Sequence, residues 1–125
     1  MKWLISIAPI ILLSGIGIAN ADTPGDPKAG QVAFTQCKAC HSLDAGKNGI
    51  GPSLHGVFGR KSGTAPNYNY SDAMKNANVT WGDDTLFKYL ADPKAFVPGD
   101  KMAFPGVKDE QTRRDVIAYL KEASL

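Results

Sequence analysis

Cys37 and Cys40 stand two residues apart, with Lys38 and Ala39 between them, and His41 follows directly. They are the only two cysteines of the chain. A disulfide across so short a loop would restrain the chain little. A redox dithiol would require a βαβ setting and leaves His41 without a purpose. A structural zinc needs four ligands and usually a second pair of cysteines, and His55 is the only other histidine. Cys-x-x-Cys-His is instead the pattern of c-type haem attachment. Two thiols add across the two vinyl groups of haem, and their spacing suits the distance between those vinyls on one turn of chain. The imidazole directly after becomes an axial ligand of the iron, so every residue of the motif has a task.

The other axial position decides the chemistry. An open position permits gas binding or peroxide chemistry, whereas a second strong ligand leaves electron transfer alone. The candidates are Met74, Met102 and His55. Met102 sits in Lys101-Met102-Ala103-Phe104-Pro105-Gly106, between two Pro-Gly turns. A flexible thioether in such a loop is suited to ligation, and a Met/His pair raises the reduction potential; ordinary loop packing is the alternative. Met74 falls at helical spacing and is better suited to core packing. His55 is too close to the Cys40-His41 turn to reach the opposite face readily, and a packed or solvent-facing role suits it better.

These residues must be held by the elements around them. Asp26-Pro27 reads as an N-cap with proline at the first helical position, opening a helix to about Ala39 with Gly30, Phe34 and Cys37 on one face. Residues 42–70 are rich in Gly, Pro, Asn and Ser without sustained periodicity, which predicts a loop. So long a loop makes sense if it wraps something large that is not protein. Ser71 caps a short turn to Asn76. Thr80 caps a helix with Asp83 and Asp84 in its first turn, Leu86, Tyr89 and Leu90 inside, and Pro93 as its stop. Residues 94–105 read as loop. The last helix starts near Asp109, with Val116, Ile117 and Leu120 inside and Arg113, Arg114 and Lys121 outside.

At the start, Met1-Lys2-Trp3, an apolar run from Leu4 to Ile18, and Ala19-Asn20-Ala21 have the anatomy of a secretory signal peptide cleaved after Ala21. The run is too short and too interrupted for a spanning anchor, so no stable membrane insertion is expected after cleavage. Residues 1–21 are therefore read as a cleaved leader and residues 22–125 as one exported, periplasmic domain. Without Lys2, that domain carries 13 Lys and Arg against 12 Asp and Glu. No basic run stands out, which argues against nucleic acid as a partner.

The ordered segments Cys37-Lys38-Ala39-Cys40-His41, Gly51-Pro52-Ser53-Leu54-His55-Gly56, Phe58-Gly59-Arg60-Lys61, Thr80-Trp81, Tyr89-Leu90, Pro98-Gly99-Asp100-Lys101-Met102-Ala103-Phe104 and Ala118-Tyr119-Leu120-Lys121 resemble the class I c-type cytochromes. The bacterial cytochromes c2 and mitochondrial-type cytochrome c are the most similar, over nearly all of residues 25–123. The resemblance implies an all-α fold of short helices and long loops wrapped around one haem c, covalently attached through Cys37 and Cys40. It implies His41 and Met102 as axial ligands, with Pro52 accepting the second imidazole N–H. Arg60, Tyr70 and Trp81 would meet the haem propionates, and Tyr89 would lie near the Met102 sulfur. Gly30 and Phe34 would cross the last helix near Tyr119. Two positions depart from the family pattern. Met74 replaces an asparagine usual near a propionate, and Asp100 replaces a threonine or serine, where a carboxylate would be unfavourable unless solvated or turned away.

The function implied is that of a soluble, monomeric, non-enzymatic electron carrier. Its partners would be redox proteins docking briefly at an exposed haem edge near Lys94, Lys101 and Lys108, with Lys38 adding to the ring and Gln36, Asp100 and Asp109 interrupting it. A bc1 complex would be the donor, and a terminal oxidase or photosynthetic reaction centre the acceptor. The alternative is a haem enzyme, or a gas or peroxide sensor, with a labile sixth ligand.

Overall fold

The computed structural model describes residues 3–11 and 23–125. Residues 3–11 are exposed and form no helix. Most of the expected leader, including the Ala19-Asn20-Ala21 cleavage site, lies outside the described residues. Among those described, no helix is long and apolar enough to cross a membrane.

The first helix, α1 (Pro27–Ala33), begins as expected: the Asp26 carboxylate accepts from Lys28 N and proline occupies the first turn. It is shorter than expected. The winding tightens to a 3₁₀ turn over Phe34–Gln36, where Phe34 O accepts from Cys37 N at 2.8 Å. Cys37 O then accepts from both Cys40 N, at 3.1 Å, and His41 N, at 3.0 Å. The attachment motif thus lies on its own tight turn rather than on the helix.

Short polar caps set the remaining helices. Ser71 Oγ accepts from Met74 N at 3.1 Å and starts α2 (Asp72–Asn76). For α3 (Asp83–Ala91) the expected Thr80 cap is replaced by Gly82, whose N–H donates to Thr85 Oγ at 2.9 Å. Pro93 does end α3, but it also opens α4 (Pro93–Phe96), where a loop was expected; Asp92 Oδ1 accepts from Ala95 N at 3.2 Å. Asp92-Pro93 repeats the Asp26-Pro27 pattern, so this start was written in the sequence. α5 (Glu110–Ala123) is capped by Asp109, whose carboxylate accepts from Thr112 N.

The crossing of α1 and α5 anchors the two ends of the domain. A Cβ on Gly30 would collide with the Asp115 carbonyl and come within 2.9 Å of Tyr119 Cβ. Glycine is therefore required by closeness of approach, not by dihedral angle. Phe34 and Tyr119 stack beside the crossing with ring centroids 5.4 Å apart, and Asp26 N donates to Asp115 Oδ1 at 2.8 Å. Val116, Ile117 and Leu120 of α5 are buried as expected. Arg113 is not outside, as expected, but buried. Its guanidinium lies 4.2 Å from the Phe87 ring centroid and donates to Phe87 O, so a planar cation on an aromatic face replaces an aliphatic contact between α3 and α5.

Residues 42–70 contain no helix, and the segment is not idle. Gly59 N donates to Trp81 O, Trp81 N to Arg60 O and Ser62 N to Val79 O, at 2.7–2.9 Å. An isolated antiparallel bridge pairs Lys61 with Thr80. This pairing satisfies the loop backbone and carries Arg60 and Trp81 together.

Gly30→Val should therefore destabilise the loaded protein by about 3 kcal/mol in guanidinium titrations, the cost of forcing volume into a packed contact. Val32→Ala, on the exposed side of α1, should change stability by less than about 0.5 kcal/mol.

Candidate functional site

A cavity of about 610 Å³ opens among α3, α5, the attachment turn and the two long loops. That volume falls within the range of roughly 300–1,000 Å³ usual for cofactor sites. Its walls are mainly apolar, with Phe34, Leu54, Val57, Leu86 and Leu90 among them. Cys37, Cys40 and His41 all line it, and so does Met102, from the loop between α4 and α5.

His41 is oriented by its backbone surroundings. Its Nδ1 lies 2.7 Å from Pro52 O. A carbonyl only accepts, so Nδ1 carries the proton and Nε2 keeps its lone pair for a metal. Burial lowers the pKa of the ring, the Pro52 bond opposes this, and the Arg60 charge lowers it further. Neutral imidazole, the ligating form, is therefore favoured. A Cβ on Gly51 would strike the imidazole ring, so the chain can pass this close only as glycine. Gly51 N donates to Cys40 O at 2.8 Å and Leu54 N to Ser42 O at 2.8 Å. The attachment turn and residues 51–54 are thereby stitched together.

Burial, and the charge Cys40 would carry, push the Cys37 thiol above its ordinary pKa. An attacking dithiol needs the opposite shift. The pair suits covalent attachment to an apolar group better than disulfide exchange.

The remaining expected site residues also gather here. Pro52, Arg60, Tyr70, Trp81 and Tyr89 line the same cavity. Arg60 is half-buried, and its guanidinium donates to Ser53 O and His55 O, both at 3.0 Å. Among the described residues it has no carboxylate partner. A cation on an apolar wall without a counter-ion suits a ligand bearing carboxylates, as haem does. Tyr70 Oη accepts from Ala65 N at 3.0 Å, and the Trp81 and Tyr89 rings meet with centroids 5.0 Å apart. The residues present thus fit a covalently held haem: thiols and a ligating imidazole on one turn, an apolar hollow, and an unpaired cation.

His55 is exposed and does not line the cavity. Met74 is buried in the core, as expected, but also lines the cavity. Asp100 is not solvated, and it does not line the cavity. Its carboxylate is buried behind the cavity wall, with Tyr89 Oη donating to Oδ2 at 2.7 Å and Lys94 Nζ reaching Oδ1 at 3.2 Å. The single phenol proton of Tyr89 is therefore directed to Asp100. Sequence reasoning missed Tyr68 and Phe104 in the lining; the Tyr68-Asn69-Tyr70 alternation was the available sign for the first.

Residues 27–124 match the family model described as cytochrome c. The chain is 53% identical over 107 residues to cytochrome c of Sesamum indicum, covering 84% of this chain and 96% of the relative. It is 52% identical over 103 residues to cytochrome c2 of Rhodomicrobium vannielii, covering 82% of each. Cytochrome cH from Methylobacterium extorquens superimposes with a TM-score of 0.73 at 52% identity, over 78% of this chain and 98% of that one.

On a denaturing gel, the chain should keep a haem stain and present no titratable thiol. The Cys37→Ala, Cys40→Ala double variant should lose the stain. Two free thiols and no stain in the parent would point to the dithiol alternative.

Proposed function

The chain belongs to the cytochrome c family, whose members carry covalent haem c and act as transient electron carriers, and on that premise we propose a periplasmic carrier whose iron is held between His41 and Met102. The observation that carries this reading is the convergence of the Cys37-to-His41 turn and Met102 on one apolar cavity. Bound haem supplies a one-electron iron couple. The protein's residues orient it and keep other reactants away.

Each residue has a physical task in this reading. Pro52 O fixes the His41 tautomer and ring plane. Met102 is half-buried and packs against the core around Trp81, Leu86 and Tyr89. A thioether so packed would resist replacement by water or small ligands, which favours the carrier over the sensor or enzyme alternative. The loop bearing it is tied at its far end: Val107 N donates to Leu90 O at 2.7 Å and Lys108 Nζ to Ala91 O at 2.8 Å, both on the last turn of α3. Arg60, with Tyr70 and Trp81 beside it, would face the propionates. The thioether bonds through Cys37 and Cys40 would hold the group through every redox cycle.

Docking would use the exposed lysines Lys94, Lys101 and Lys108 of the monomer. Their charges are not equally free. Lys94 pairs with Asp100, while Lys101 Nζ donates to Asn69 O and lies 5.7 Å from the Tyr68 ring centroid. Steering of an acidic partner, whether a bc1-type donor, an oxidase or a reaction centre, would accordingly be modest. Export rests on the leader pattern of residues 1–21, with residues 22–125 as the mature domain.

At neutral pH the oxidised protein should show the weak red-region absorbance of methionine bound to ferric iron, and the reduced protein should not bind carbon monoxide. Met102→Ala should abolish the band and admit carbon monoxide. Ready carbon monoxide binding by the parent would favour the sensor or enzyme.

A further inference from the structure

Asp100 is the only buried carboxylate among the described residues, and its side chain is 1% exposed. A buried carboxylate is costly to hold unless it is paired and hydrogen-bonded. Tyr89 Oη donates to one oxygen at 2.7 Å, and Lys94 Nζ approaches the other at 3.2 Å. The same ammonium lies 3.2 Å from Asp100 O and 3.4 Å from Met102 O. The group thus joins a cavity-lining tyrosine to the backbone of Met102; Asp100 does not itself line the hollow but lies behind Tyr89 and next to the lining residue Lys101. Burial and the neighbouring carboxylate push the Tyr89 pKa far up, so the phenol remains a donor.

We propose that Asp100, held by Tyr89 and Lys94, is a positioning and tuning residue that biases the bound haem toward its oxidised state. The inference rests on the haem site described above and deepens it. In the couple iron(III) plus one electron to iron(II), the oxidised side carries one more positive charge. A fixed negative charge nearby favours that side, more strongly in a low dielectric than in water. Lys94 offsets part of the effect, but it is 60% exposed and its charge is better screened than the buried carboxylate. Tyr89 adds to the bias by directing its proton to Asp100 rather than to the Met102 sulfur. A neutral residue at position 100 would remove the charge and, as a weaker acceptor than a carboxylate, loosen the hold on that proton.

The test is potentiometric titration of the full haem-loaded protein with soluble mediators supplying the electron. Asp100→Asn should raise the midpoint potential. At the parent's midpoint, its oxidised-to-reduced ratio should fall about tenfold, equivalent to 59 mV for one electron. Asp100→Thr should shift in the same direction and serves if the asparagine variant folds poorly. Lys94→Gln, which removes the offsetting positive charge, should lower the midpoint. A purely structural clamp would change melting temperature and leave these potentials alone. Unchanged midpoints in both position-100 variants would overturn the proposal. Failure of the underlying site reading would show separately, as a parent without covalent haem.

Discussion

The hydrogen bond between His41 Nδ1 and the Pro52 carbonyl, 2.7 Å long, is the constraint around which the rest of the chain is arranged. It can form only if residues 51–54 run beside the attachment turn, and they can do so only because position 51 lacks a Cβ. The backbone bonds from Gly51 to Cys40 and from Leu54 to Ser42 fix that pairing. One bond thus sets the imidazole plane and its tautomer, and with them the orientation of any group held by Cys37 and Cys40. The close α1–α5 crossing at Gly30 brings Phe34 and the α5 residues Val116 and Leu120 to the cavity wall. The bonds from residues 107 and 108 to α3 hold the loop of Met102 on the same hollow.

Such a design explains why so little regular structure suffices. A domain of about a hundred residues has a small core, and here much of the interior surrounds a cavity. Loops are normally a poor way to line an interior, because their backbone groups need partners. Residues 59–62 find them on residues 79–81, while Asn48 accepts from Ser53 N and donates to Pro66 O. The polar cost of an irregular wall is met locally, leaving the inward-facing side chains free to be chosen for the ligand.

Much of this was legible in the sequence because the chemistry is local. The cysteine spacing, His41 and the caps at Asp26, Ser71 and Asp109 each depend on neighbours within a few residues, and the helices begin where those caps predict. Met102 was marked by its loop between two Pro-Gly turns, whereas the cavity-lining set of Pro52, Arg60, Tyr70, Trp81 and Tyr89 came from family resemblance, since no periodicity relates residues so far apart. What escaped reading depended on partners distant in the chain or on competing local effects. Arg113 is buried because Phe87 offers it a ring face. The first helix stops early because the bonds of the attachment turn tighten its winding. Asp100 appeared out of place by residue type alone, and it becomes intelligible only when Tyr89 and Lys94 are seen to converge on it.

The charge of Asp100 and the packing of Met102 matter only if the iron is closed on both sides, so the coordination sphere is the decisive quantity. The most direct measurement is the iron X-ray absorption spectrum of the oxidised protein at neutral pH. The account predicts a six-coordinate iron with one sulfur neighbour and otherwise nitrogen, the sulfur being lost in Met102→Ala. A shell of nitrogen and oxygen alone, or a sulfur that survives that substitution, would contradict it.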